Sequence, residues 1–177
     1  AEWGDRMSPG RAVARGYHRA EKKLGSNTTA TEGAPRFRAA IKQNHQGGET
    51  NEEMERERWR RIVYDVIDDV TDPQERLLSM LWQHFGSASS WRLFDDVAHC
   101  WQDLSNRGYL LGIASNFDSR LRTICREHPP LHECQHIFVS SEVGYPKPEP
   151  RFYRAVEEQL GLRPEEILII GDNYEAD

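Results

Sequence analysis

Apolar residues recur at helical spacing through the first half of the chain, then give way to short continuous apolar runs separated by helical segments. Val13, Tyr17, Ala20 and Leu24 fall on one face of a helix over 12–24, and Gly25-Ser26-Asn27-Thr28-Thr29 reads as its end and a loop. A second helix starts over Arg36 to Ile41 and breaks at Gln46-Gly47-Gly48-Glu49. Thr50-Asn51-Glu52-Glu53 spells a capping box, in which the Thr50 hydroxyl bonds the Glu53 amide and Glu53 reaches back. Trp59, Ile62, Val63, Val66, Ile67 and Val70 then form an apolar stripe, with Glu55-Arg56-Glu57-Arg58 and Arg60-Arg61 as a solvated mixed-charge face. Asp72 and Pro73 suit the cap and first turn of the next helix, whose stripe is Leu77, Leu78, Leu81, Trp82 and Phe85 and whose stop is Gly86.

Past a Ser87-Ala88-Ser89-Ser90 hinge the pattern changes. Phe94, Val97, Ala98, Trp101 and Leu104 mark a helix closed by Asn106-Arg107-Gly108. Tyr109 to Ala114 is an apolar run of the kind expected from a strand buried on both faces. Asp118 caps a helix carrying Leu121, Ile124 and Cys125, and His136 to Ser140 is a second strand. Phe152, Tyr153, Val156 and Leu160 mark a helix stopped by Gly161, and Ile167 to Ile170 is a third strand. Strands alternating with helices imply a parallel sheet with crossover helices. The expected organisation is a lead-in over 1–10, a helical unit over 11–88 and a Rossmann-like α/β unit over 89–177.

Composition narrows the classes. The chain has 177 residues and a formal net charge of −6, which argues against a nucleic-acid surface with its clustered basic face. No apolar run approaches a membrane span, so no membrane partner is expected. Three cysteines without a CxxC pair argue for a reducing, cytoplasmic compartment. Cys125, His128, His132, Cys134 and His136 are zinc-ligand types, but their spacings fit no usual zinc pattern and no structural zinc is expected. The tryptophans fall on core stripes and read as packing.

In an open parallel sheet, ligands bind beyond the carboxyl ends of the strands. There the sequence places Ser115, Asn116 and Asp118 after the first strand, Ser140, Ser141, Glu142 and Lys147 after the second, and Asp172, Glu175 and Asp177 after the third. This set suits phosphoryl transfer to a protein carboxylate. A divalent cation takes hard oxygen ligands such as Asp172, and a phosphoryl group developing charge needs donors and positive charge such as Ser115 and Lys147. Pro146 and Pro148 stiffen the backbone of Lys147. Asp118 reads as a helix cap, and Glu142 and Glu175 as solvated.

Ile113-Ala114-Ser115-Asn116-Phe117-Asp118, Gly144-Tyr145-Pro146-Lys147-Pro148-Glu149-Pro150 and Ile170-Gly171-Asp172-Asn173-Tyr174-Glu175-Ala176-Asp177 resemble the second, third and fourth motifs of the haloacid dehalogenase-like hydrolase superfamily, in order and spacing. The subgroup with a helical cap is the nearest in kind. The resemblance implies an α/β core carrying an inserted cap. It implies that Ser115, helped by Asn116, hydrogen-bonds a phosphoryl group and that Lys147 offsets its charge. It implies that Asp172 ligates Mg2+ and that Asp177 holds the metal's water shell or orients Lys147. The family's first motif, DxDx[TV], carries the nucleophile and has no counterpart. Asp5 follows no apolar strand, and Asp65, Asp68 and Asp69 lie within a helix pattern. The expectation is a fragment, incomplete at both ends and inactive alone. The implied activity is a magnesium-dependent phosphatase of a small phosphorylated metabolite, acting through an aspartyl phosphate. A carbon–halogen hydrolase and a non-catalytic interaction protein on the same scaffold are the alternatives.

Overall fold

The computed structural model describes residues 30–44, 47–66, 74–171 and 177. The helix expected over 12–24, the apolar positions Ile67 and Val70, the Asp72-Pro73 cap and Asp172 lie outside the described residues. The chain divides into two compact units. One contains Arg56–Arg92 together with the helix Ala30–Gln43, and the other contains Gly47–Glu55 and Leu93–Asp177.

The first unit is helical. Helix α1 spans Ala30–Gln43, α2 spans Glu52–Val66, of which Glu52–Glu55 belong to the other unit, and α3 spans Gln74–Gly86, followed by a 3-10 turn at Ala88–Ser90. Their stripes meet as one core of Phe37, Ala40, Ile62, Val63, Val66, Leu77, Leu78, Leu81 and Phe85. Trp59 stacks on Phe37 at 6.2 Å between ring centroids, and the Trp91 indole N–H donates to the Phe85 carbonyl at 2.9 Å. These tryptophans are packing residues, as their positions in the stripes imply.

The start of α2 differs from the expected capping box by one residue. Asn51 Oδ1 accepts the Met54 amide at 2.9 Å, so Asn51 is the cap. The Thr50 hydroxyl instead donates to Glu55 Oε1 at 3.0 Å. Glu55 is therefore buried, not part of the solvated face that its charge run suggests. The remainder of that run is exposed or half-buried, and Arg60 Nε reaches Glu75 at 2.8 Å.

The second unit has the α/β grammar. Helix α4 is Val97–Asn106, strand β1 Gly112–Ser115, helix α5 Arg120–Glu127, strand β2 His136–Val139, and α6 the single turn Ser140–Val143. Helix α7 is Pro150–Leu160, and a 3-10 turn follows at Pro164–Glu166. β1 and β2 pair in parallel, with Gly112 opposite His136 and Ser115 opposite Val139, and α5 is the crossover between them. Side chains alternate across the sheet. Ile137 and Val139 pack with Ile113, Leu121, Cys125 and Trp101 on one face, whereas Phe138 packs with Ala114, Phe152 and Val156 of α7 on the other. Gly112 permits close pairing, because a Cβ there would meet the His136 carbonyl oxygen at 3.1 Å and its Cβ at 3.3 Å.

Two expectations about the sheet are corrected. The first strand is shorter and wetter than its apolar run implies. Tyr109 and Leu110 precede it and are exposed, and Ile113 to Ser115 are only half-buried, since β2 is the one neighbour it has among the described residues. Ile167 to Ile170 is not a strand. It keeps a period-two pattern, with Ile167 and Ile169 half-buried and Leu168 and Ile170 83% and 84% exposed. A strand exists through its ladder, and no described segment pairs with this one. Among the described residues no helix is long and apolar enough to cross a membrane.

Candidate active site

The candidate groups gather beyond the carboxyl ends of the two paired strands, where a parallel sheet presents its loops. Ser115 ends β1, and Asn116 to Ser119 lead into α5. The Phe117 carbonyl accepts the Ser140 hydroxyl at 3.1 Å and the Ser141 amide at 3.3 Å, which ties the loop after β1 to the first turn after β2. Ser140 and Ser141 are buried and act as structural groups of the rim. Gly144 closes α6 at φ 91°, a conformation that favours glycine, and turns the chain towards Lys147.

Asn116 organises the next layer. Its Nδ2 donates to the Lys147 carbonyl at 2.8 Å and its Oδ1 accepts the Lys147 amide at 2.7 Å. The side-chain amide thus binds both main-chain groups of Lys147, as a neighbouring strand would. This sharpens two readings made from the sequence. The aim of Lys147 rests on Asn116 as well as on its flanking prolines, and both faces of the Asn116 amide are committed to that task.

The Lys147 ammonium pairs with the Asp177 carboxylate, and both side chains are almost buried, at 11% and 12% exposed. The Tyr153 hydroxyl on α7 donates to the Asp177 main-chain oxygen at 3.2 Å. Burial pushes the Tyr153 phenol above its ordinary range, and the Asp177 charge adds to that, so the phenol stays protonated and remains a donor. Tyr153 read as a core position in the sequence. The available signal was its type, since a tyrosine within an apolar stripe carries a hydroxyl that needs a partner.

Asp118 is fully buried. Its carboxylate takes the Arg120 amide at 3.1 Å and the Arg120 guanidinium at 2.7 and 2.6 Å, so it braces the start of α5 from one residue before the cap position, which is Ser119 and not the expected Asp118. Glu142 pairs with Arg122 at 2.6 Å. Cys125 and Cys134 pack beneath the sheet; burial, with the Cys134 charge adding, pushes the Cys125 thiol up to about 11. Among the described residues no three His, Cys, Asp or Glu side chains are gathered as a metal site, and Asp172 is not among those residues. The described residues therefore contribute one hard carboxylate next to Lys147, that of Asp177.

Asn116, Lys147 and Asp177 are thus joined by hydrogen bonds and an ion pair, and Ser115 ends β1 next to Asn116, in the order of the motifs that the sequence displays. The haloacid dehalogenase-like hydrolase family model matches residues 9–177. The chain belongs to the haloacid dehalogenase-like hydrolase family. The fold is that of this family, an α/β core with a small parallel sheet and accompanying helices.

Several relatives carry the same family name or a phosphatase name. The haloacid dehalogenase-like hydrolase domain-containing protein 3 of Danio rerio is 26% identical over 175 residues, covering 94% of this chain and 72% of that protein. The phosphoserine phosphatase of Thermus thermophilus is 25% identical over 118 residues, covering 66% of this chain and 47% of the relative. The glyceraldehyde 3-phosphate phosphatase of Methanothermobacter thermautotrophicus is 26% identical over 106 residues, covering 56% and 45%. The matched region spans about half the length of the two phosphatases.

Proposed function

We propose that this haloacid dehalogenase-like hydrolase acts as a magnesium-dependent phosphatase of a small phosphorylated metabolite through an aspartyl-phosphate intermediate. The observation that carries the reading is the Asn116 clamp on the main chain of Lys147, with the ammonium aimed by Asp177. A cation held rigidly beyond a parallel strand is what a phosphoryl group needs as its charge develops. The phosphatase names of two relatives favour phosphoryl transfer over carbon–halogen hydrolysis.

In this reading the Ser115 hydroxyl donates to a phosphoryl oxygen, and Lys147 offsets charge on the nucleophile and on the phosphoryl oxygens. Asn116 keeps Lys147 in register, and Asp177 fixes the direction of its ammonium. Asp172 and Asp177 supply hard oxygen donors for Mg2+, which when bound adds positive charge against the phosphoryl group. No residue of this chain is assigned as the nucleophile. A reducing, cytoplasmic setting is part of the same proposal, argued from three cysteines without a CxxC pair in the sequence.

The test is a comparison of leaving groups. The full-length gene product is offered a panel of small phosphate monoesters and, separately, 2-haloacids. The expected result is release of phosphate with no halide. Halide release without phosphate contradicts the proposal, as does silence towards every substrate.

A further inference from the structure

Glu52, the first residue of α2, makes three hydrogen bonds that the site above does not use. Its Oε1 accepts the Ser119 amide at 2.9 Å and the Ser141 hydroxyl at 2.5 Å, and its Oε2 accepts the Ser119 hydroxyl at 3.0 Å. These partners are 67 and 89 residues away along the chain. A first-turn acid ordinarily serves its own helix, by capping or by facing the helix dipole. Here the capping is done by Asn51. Both oxygens of Glu52 are instead spent on two loops of the rim, one after β1 and one after β2.

The neighbours of Glu52 repeat the pattern. The Thr50 amide donates to the Gly144 carbonyl at 2.8 Å, and the Tyr145 hydroxyl donates to Glu49 Oε1 at 3.2 Å. Gly47–Glu55 therefore touches the loop containing Asn116 at Ser119, and the loop containing Lys147 at Ser141, Gly144 and Tyr145. All these residues belong to one compact unit. The Asn116 clamp joins the same two loops from within the rim.

We propose that Glu52 is a positioning residue of the active site, and that its carboxylate holds the loops of Asn116 and Lys147 in register by binding Ser119 and Ser141 together. The assignment deepens the phosphatase reading and rests on it for its kinetic part alone. Three donors on one carboxylate are charge-assisted bonds, individually stronger than neutral ones. They hold the Glu52 carboxyl below its ordinary range although partial burial pushes it the other way, and the nearby Arg120 charge acts in the same direction as the bonds. The carboxylate is thus ionised near neutral pH, the form that accepts all three.

The test uses full-length protein carrying Glu52→Gln, with Ser141→Ala as an independent way to remove one of the three bonds. Amide hydrogen exchange is followed in peptides covering 47–55, 117–121, 141–147 and 150–160. Local opening governs exchange, so losing charge-assisted bonds is expected to speed exchange about tenfold in 117–121 and 141–147 of Glu52→Gln. Ser141→Ala shows a smaller effect of the same pattern, and 150–160 is unchanged in both. Acceleration confined to 47–55, or none anywhere, overturns the proposal. With an active phosphatase, Glu52→Gln lowers kcat for phosphate release and leaves KM within about twofold, the signature of misplaced chemistry. An unchanged kcat overturns the positioning role. If the wild-type protein releases no phosphate, the phosphatase reading falls while the exchange result still decides whether Glu52 holds the loops.

Discussion

Asn116 illustrates what one side chain does at this site. Its amide closes a two-bond ring with the main chain of Lys147, a geometry that no longer or shorter side chain reproduces. Asn116→Ala removes both bonds and leaves the half-buried Lys147 amide and carbonyl without these partners. A displacement of about 1 Å in a catalytic cation costs on the order of a hundredfold in rate. The variant is expected to lose phosphate release by about that factor while remaining folded, checked by steady-state kinetics beside a thermal melt. Equal activity would remove Asn116 from the account. The motif residues were legible in the sequence because chemistry restricts which residue types stand after a strand. What Asn116 binds was not legible, because its partner lies 31 residues away and is a main chain. Glu52 and Tyr153 were missed for a related reason. A first-turn acid and an apolar-stripe tyrosine each have an ordinary local explanation, and only the fold shows that their polar atoms are used elsewhere.

At the scale of elements, periodicity located the described helices, since α2, α3, α5 and α7 bury or half-bury the described residues their stripes name, whereas α4 fully buries none of its stripe. Their ends were less legible. Thr50 and Asn51 are both good caps, and the choice of Asn51 goes with the Thr50 amide being taken by Gly144. The strands show the opposite limitation. An apolar run states that a segment prefers burial, but pairing decides whether it is a strand, and Ile167 to Ile170 has the run without the ladder. The pairing of β1 with β2 depends on close approach at Gly112. Gly112→Ala must push its Cβ against the His136 main chain at 3.1 Å, and is expected to lower stability by about 1–3 kcal/mol, the usual range for overpacking. Denaturant titration measures it, and a neutral result would mean that the two strands separate at little cost.

Over the whole molecule, the helical core of α1 to α3 and the two layers packed on the β1–β2 sheet are separate apolar clusters. The change from helical spacing to short apolar runs near Trp91 lies beside the unit boundary at Arg92 and Leu93, whereas the assignment of Gly47–Glu55 to the α/β unit has no such mark in the sequence. Family membership follows from motif order and from the match over 9–177. The substrate is not written in these motifs, because in the proposed reading Ser115, Asn116, Lys147 and Asp177 serve a phosphoryl group alone. The central claim is therefore one of reaction class. It is tested most directly by following phosphate release from the preferred monoester by the full-length protein, first after treatment with chelator and then with magnesium returned in excess. The account predicts that release stops in chelator and recovers on addition of magnesium. Release that persists undiminished in chelator would contradict it.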